Sequence, residues 1–201
     1  MGDVFILMEV FLFMKLLHDT IHKNGIALSD SILKVDSFIN HQIDPKLMGE
    51  VGKEFAKRFK DKKIDKVLTI EASGIAPAMI TALELGVPMV FAKKHKPITM
   101  ANFYSTTVYS FTKETNYNLT VSKEFINEGE NILLIDDFLS AGNAILGLKE
   151  IVEQGDANVV GVGIVIEKGF KEGRQNLLKE GFHLESLAIV DKMEEGKVRL
   201  K

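Results

Sequence analysis

The chain has 201 residues, 46% of them hydrophobic and 26% charged, with a formal net charge of −3. That length fits one domain spanning residues 1–201, the apolar content is enough for a core, and the charge excludes a generally basic nucleic-acid surface. With no cysteine there is no disulfide, thiolate zinc site or cysteine nucleophile, and a reducing, cytoplasmic setting is expected.

Residues Met1–Leu17 read MGDVFILMEVFLFMKLL, with Asp3 as the first charge and Glu9 inside the apolar run. That order does not suit a secretory signal, and the run is shorter than the roughly 20 apolar residues of a membrane helix. Residues 1–13 are therefore read as a leader or a misassigned start, the alternative being an apolar helix covering a dimer surface. From Met14 the sequence MKLLHDTIHKNG predicts an amphipathic helix ending at Gly25. His18 and His22 lie four apart on it with no third ligand, which reads as a solvated face and not a metal site. Residues 26–43 are expected to form a small flanking cap.

Asp44-Pro45 starts a helix, with Asp as cap and Pro in the first turn, and Met48, Val51, Phe55 and Phe59 mark its buried face. Short apolar runs follow at Val67–Ile70, Met89–Ala92, Ile132–Ile135, Val159–Ile166 and Leu184–Val190. Helical patterns at Pro77–Leu85, Ala144–Gln154 and Phe170–Glu180 separate most of them. Doubly apolar strands joined by crossover helices predict an α/β fold: a parallel, mostly five-stranded sheet with helices on both faces. The polar interval Lys93–Asn131 breaks the rhythm. Tyr104, Thr106, Val108, Ser110 and Thr112 hint at an edge strand there, and its length suggests a flexible lid loop.

Ligands of such sheets bind beyond the carboxyl ends of the strands. After the third run comes Asp136-Asp137-Phe138-Leu139-Ser140-Ala141-Gly142-Asn143-Ala144: two acids, then a small-residue turn opening a helix. A helix N-terminus holds an anion on unpaired N–H groups, Gly142 lets backbone approach a phosphate, and carboxylates suit a group with hydroxyls or developing positive charge. Phosphate beside sugar points to a ribose 5-phosphate site. The other open reading is that Asp136 and Asp137 solvate a strand end while Ser140 caps a helix. There is no G-x-x-x-x-G-K-[ST], and Gly161-Val162-Gly163 lacks a third glycine.

The run from Ile132 to Ala144 resembles the phosphoribosyl-diphosphate motif of type I phosphoribosyltransferases. Glu71-Ala72-Ser73-Gly74-Ile75-Ala76 is similar to that family's pyrophosphate loop, and Ala92-Lys93-Lys94 to its basic step after the next strand. Leu33–Gln42, Val108–Thr112 and Ile164–Lys168 resemble the bacterial xanthine phosphoribosyltransferase family. Where the broader family often has threonine, Ser140 keeps a hydroxyl and Ala144 does not.

The resemblance implies transfer of 5-phosphoribose from its activated diphosphate to xanthine, with release of pyrophosphate. It implies Asp136 and Asp137 as catalytic residues. The diphosphate substrate would be held by Ser140, Ala141, Gly142, Asn143, Ala144, Ser73, Gly74, Lys93 and Lys94. Leu33 would pack on the base, while Asn40 and Lys168 would donate to its oxygens. Mg2+ would be bound with the diphosphate and water and not by a dedicated protein cage. The family further implies a homodimer, with Lys93 or Lys94 reaching across the interface, and neither a nucleic-acid nor a membrane partner. The interval Tyr104–Thr120 is expected to be mobile without ligand. Two other readings stay open: a phosphoribosyltransferase for adenine or another purine, and a transcriptional sensor on the same fold. The sensor would need a basic DNA-binding module, and residues 1–30 hold two lysines and no arginine.

Overall fold

The computed structural model describes residues 15–95, 101–110, 115–194 and 196–201; the expectation for residues 1–13 lies outside them. The described part of the first helix, α1, covers residues 15–24. It buries Leu17 and Ile21, one turn apart, and closes where Gly25 N–H donates to Ile21 O at 2.8 Å. His18 departs from the expected solvated face. Its Nε2 is shut away from solvent without a partner, and burial, the largest influence, lowers its pKa. The cap over 26–43 consists of two short antiparallel strands, β1 (Ile26–Ala27) and β2 (Leu33–Lys34), and one π-helical turn, Asp36–Asn40.

Helix α2 (Pro45–Arg58) begins as its sequence predicts. Asp44 Oδ1 accepts from the N–H groups of Lys46 at 2.9 Å and Leu47 at 3.1 Å, satisfying two otherwise orphaned donors. Then come β3 (Lys66–Ile70), α3 (Ile75–Leu85) and β4 (Met89–Ala92). The strand expected in the polar interval is β5 (Phe103–Ser110); it pairs as a hairpin with β6 (Thr115–Ser122), which the sequence did not suggest, in a two-stranded sheet of its own. Strand β7 (Asn131–Leu139), α4 (Asn143–Gln154), β8 (Asn158–Lys168), α5 (Gly173–Lys179), β9 (Leu184–Glu194) and β10 (Lys197–Leu200) complete the chain.

The main sheet has the order β10-β9-β8-β7-β3-β4. Five strands are parallel, as expected, and β10 adds an antiparallel edge. Alternate side chains feed two cores. Val67, Leu133 and Ile135 face α1, α2 and α3, whereas Leu68, Ile132 and Leu134 face α4, α5 and the hairpin. Chain direction reverses across the β3–β7 pair: from β3 the chain moves outward to β4, then returns to β7 on the other side. In a parallel sheet this switch point is where the loops at the carboxyl ends diverge and leave a crevice.

Candidate active site

The crevice is bordered by Glu71–Gly74, between β3 and α3, and by Ser140–Gly142, between β7 and α4. Asp136 and Asp137 lie within the last stretch of β7, not beyond it, because that strand continues its pairing with β8 as far as Leu139. Only the three residues Ser140–Gly142 remain as loop. Gly142 adopts φ +93°, which glycine tolerates and other residues rarely do, and no side chain caps the N-terminus of α4. That terminus therefore keeps N–H groups for an anion.

Both carboxylates are buried, at 7% exposure for Asp136 and 8% for Asp137, and the Asp137 N–H donates to Asp136 Oδ1 at 2.9 Å. Burial first, and then the adjacent Asp137 charge, push Asp136 well above the ordinary carboxylate range; the Lys94 ammonium opposes the rise. Tyr117 of β6 also faces this pair, its phenol raised by burial and then by Asp136. Gly74 comes so close that a Cβ there would lie 2.8 Å from Asp136 Oδ1. An acid pair with this little positive charge around it favours the arrival of a cation or of developing positive charge.

The two lysines after β4 are held differently. Lys93 exchanges both backbone hydrogen bonds with Thr120, each at 2.9 Å, and its Nζ lies 5.8 Å from the Phe91 ring centre. Lys94 donates its N–H to Glu71 Oε1 at 2.6 Å, and its Nζ lies 5.7 Å from the Tyr117 ring centre. Lys94 thus belongs with Asp136, while Lys93 turns back along its own strand.

On the β8 side, Lys168 is the last strand residue. Its Nζ donates to Ser31 O at 2.7 Å and sits 5.6 Å from the Phe138 ring centre. Burial, the largest effect, and then Lys171 lower its pKa, and Asp137 opposes them. Leu33 is buried in the core against which Phe138 packs, so the cap reaches the same edge. Asn40 ends the π-helical turn exposed, and its side chain makes no hydrogen bond among the described residues. The structure thus gathers Asp136, Asp137, Gly74, the Ser140–Gly142 loop, Lys94, Lys168 and Leu33, and leaves Asn40 and the Lys93 side chain apart. Phe138, Tyr117, Glu71 and Ser31 were not singled out from the sequence. Phe138 and Glu71 stand inside quoted motifs, whereas Tyr117 and Ser31 become neighbours only through tertiary pairing.

Comparison with known proteins agrees with this geometry. The model of the phosphoribosyl transferase domain family matches residues 41–192. A xanthine phosphoribosyltransferase of Oceanobacillus iheyensis is 54% identical over 189 residues, 94% of this chain and 97% of that protein. One of an Exiguobacterium species is 53% identical over 186 residues, 92% of this chain and 96% of its own length. In structure, adenine phosphoribosyltransferase of Saccharomyces cerevisiae superposes with a TM-score of 0.71 at 23% identity, covering 87% of this chain and 98% of that one; at that identity the likeness speaks for the fold. The chain belongs to the phosphoribosyltransferase family.

Proposed function

We propose that the protein transfers 5-phosphoribose from 5-phosphoribosyl 1-diphosphate to a ring nitrogen of xanthine, giving xanthosine 5′-monophosphate and pyrophosphate. The observation that carries this reading is that one sheet edge holds an uncapped helix N-terminus, a buried acid pair and a half-buried lysine donor. The phosphate rests on the N–H groups of the Ser140–Ala144 segment. Ser73, Gly74 and Lys94 receive the diphosphate, and Lys93 would serve across a dimer interface only after leaving Phe91. When the bond from ribose C1 to diphosphate breaks, C1 becomes cation-like. Asp136 and Asp137, accepting from the ribose hydroxyls, stabilise that charge before the base nitrogen bonds to C1. Lys168 donates to an exocyclic oxygen of the base, Phe138 and Leu33 pack on its ring, and Asn40 serves the second oxygen after the cap closes.

Mg2+ supplies charge neutralisation on the diphosphate. The ion would be bound with the diphosphate and water, beside the buried carboxyl groups of Asp136 and Asp137. A homodimer is part of the proposal. Met79 and Leu83, one turn apart on α3, are 53% and 72% exposed, an apolar pair that a partner subunit would cover. No described helix is long and apolar enough to cross a membrane, and the cysteine-free chain suits a cytoplasmic enzyme.

Turnover of xanthine, guanine, hypoxanthine and adenine with the diphosphate and Mg2+ tests the reading. Xanthine should be used best, Lys168→Ala should weaken every oxopurine, and Asn40→Ala should erode the preference for xanthine over hypoxanthine. Efficient adenine turnover, or no turnover of any base, overturns it.

A further inference from the structure

The phosphate loop is held from behind. Gly173 N–H, at the start of α5, donates to Ser140 O at 2.9 Å, and Asn176 Nδ2 donates to Ala141 O at 3.1 Å. In a planar trans peptide the carbonyl and the following N–H point in opposite directions. Fixing Ser140 O therefore fixes the Ala141 N–H, and fixing Ala141 O fixes the Gly142 N–H, both pointing away from α5. Ala141 and Gly142 are buried, and neither N–H donates to any group among the described residues. Two buried donors left open and held in direction are what an anion site needs, since no reorganisation remains when the anion arrives.

Helix α5 has only seven residues, too short to hold its place by itself. It is anchored through Arg174, whose Nε and Nη2 grip Glu167 Oε1 and Oε2 at 2.7 and 2.6 Å. Ser186 Oγ donates to the same carboxylate at 2.6 Å, and Glu167 is 2% exposed. Glu167 immediately precedes Lys168 on β8. One buried carboxylate thus anchors the strand end that presents the lysine and the helix that orients the loop.

We propose that Asn176 and the Glu167–Arg174 pair are positioning residues that aim the Ala141 and Gly142 N–H groups at the 5-phosphate of the donor. This rests on the phosphoribosyl-transfer reading. A carbonyl released from α5 lets its peptide plane rotate, so the loss should fall on phosphate binding and not on chemistry at C1.

The test compares wild type with Asn176→Asp, Asn176→Leu and Arg174→Lys in kinetics with xanthine and the diphosphate, and in calorimetric binding of ribose 5-phosphate to the unreacted protein. Asn176→Asp keeps the shape but sets an acceptor against the Ala141 carbonyl. It should raise both the diphosphate KM and the ribose 5-phosphate Kd by about tenfold or more, with kcat and the xanthine KM within about threefold. Asn176→Leu should do the same more weakly, and Arg174→Lys, which keeps charge but loses the fork, should fall between. Wild-type values of both quantities in the two Asn176 variants overturn the proposal, as does a parallel loss in the xanthine KM. If wild type turns nothing over but binds ribose 5-phosphate with this variant dependence, the transfer reading fails and the clamp stands. If wild type does not bind ribose 5-phosphate, both fail.

Discussion

Replacing Gly74 by alanine probes the crevice with a single methyl group. Its backbone, φ −67° and ψ −18°, is ordinary helical geometry, so alanine brings no backbone strain and even restricts the unfolded chain, worth about 0.4–1 kcal/mol. The side chain has no room. A Cβ there collides with Thr69 Oγ1 and lies 2.8 Å from Asp136 Oδ1 and 3.1 Å from Ile70 O. Ordinary contact begins near 3.4 Å, so the carboxylate would have to retreat by about 0.6 Å while it holds the Asp137 N–H at 2.9 Å. Overpacking of this kind costs about 1–3 kcal/mol, leaving a net loss of about 1–2 kcal/mol once the chain-entropy gain is subtracted. Displacement of a reacting group by about 1 Å can cost about 100-fold, so a fall of about tenfold or more in kcat/KM is expected. Among the described residues Thr69 Oγ1 is buried without a partner, and Thr69→Ala removes one of the three close contacts. In a double-mutant cycle read by urea denaturation, Gly74→Ala and Thr69→Ala should couple by about 1 kcal/mol, while kcat/KM recovers only in part because Asp136 is still displaced. A Gly74→Ala protein with wild-type stability and turnover, or a cycle with no coupling, refutes the steric argument.

Asp136→Asn should trade stability against activity. Because the folded-state pKa of Asp136 is raised, this group's stabilising contribution is complete below about 3.8 and is lost as pH rises through the folded value. The variant should thus melt above wild type at pH 7 with the gap closing toward pH 4, while turnover falls about 100-fold or more; a variant that melts lower at pH 7 counts against this. In hydrogen exchange by mass spectrometry, peptides covering residues 103–108 and 117–122 should be protected in the free protein, and uniformly fast exchange would instead show the interval mobile without ligand. Lys66, buried at the far end of β3, donates to Glu130 Oε2 at 2.6 Å and Phe125 O at 2.5 Å. Lys66→Met should cost about 2–4 kcal/mol in urea yet leave kcat of the folded protein unchanged, and a large kcat loss would show that the two ends of the sheet are coupled.

The five parallel strands were legible because each reads as an apolar run, fully buried in β3 and half-buried in edge strand β4, a signal independent of tertiary detail. Their ends were not. β7 continues through Asp136 and Asp137 because backbone pairing with β8 needs no particular side chain, whereas the sequence signal stops at Ile135. The hairpin was hidden for a related reason. β5 and β6 bury only one side, against α4, where Gly147 leaves room for Val108 and Gln154 exchanges hydrogen bonds with both backbone groups of Ser105. An alternation such as Tyr104, Thr106 and Val108 registers as a weak strand until a partner strand and a helix face are known. Within the site, the motif residues could be read in chain order. Lys94 could be read as the basic step after β4, though not its contacts with Glu71 and Tyr117; Tyr117 and Ser31 could not, since each meets the acids or Lys168 through chain segments distant in sequence.

The Lys168–Ser31 contact bears on how the base would be chosen. In the free protein this half-buried ammonium already has an acceptor, the Ser31 carbonyl at 2.7 Å. An oxopurine that took its place would exchange one carbonyl for another, a replacement with little net hydrogen-bond energy. Adenine has no exocyclic oxygen. Its entry would either leave the Ser31 contact in place, and with it the cap, or displace it and strand a buried donor at a cost of about 1–3 kcal/mol. If Lys168 donates to the base as proposed, discrimination there would depend on whether the base reaches far enough to displace Ser31, which would make the cap part of the specificity of the site. Leu33, two residues beyond Ser31 on β2 and buried against the core of α1 and α2, fixes how far that turn can withdraw. A shorter or looser cap would let Ser31 follow the lysine and blunt the discrimination, even with Lys168 itself unchanged.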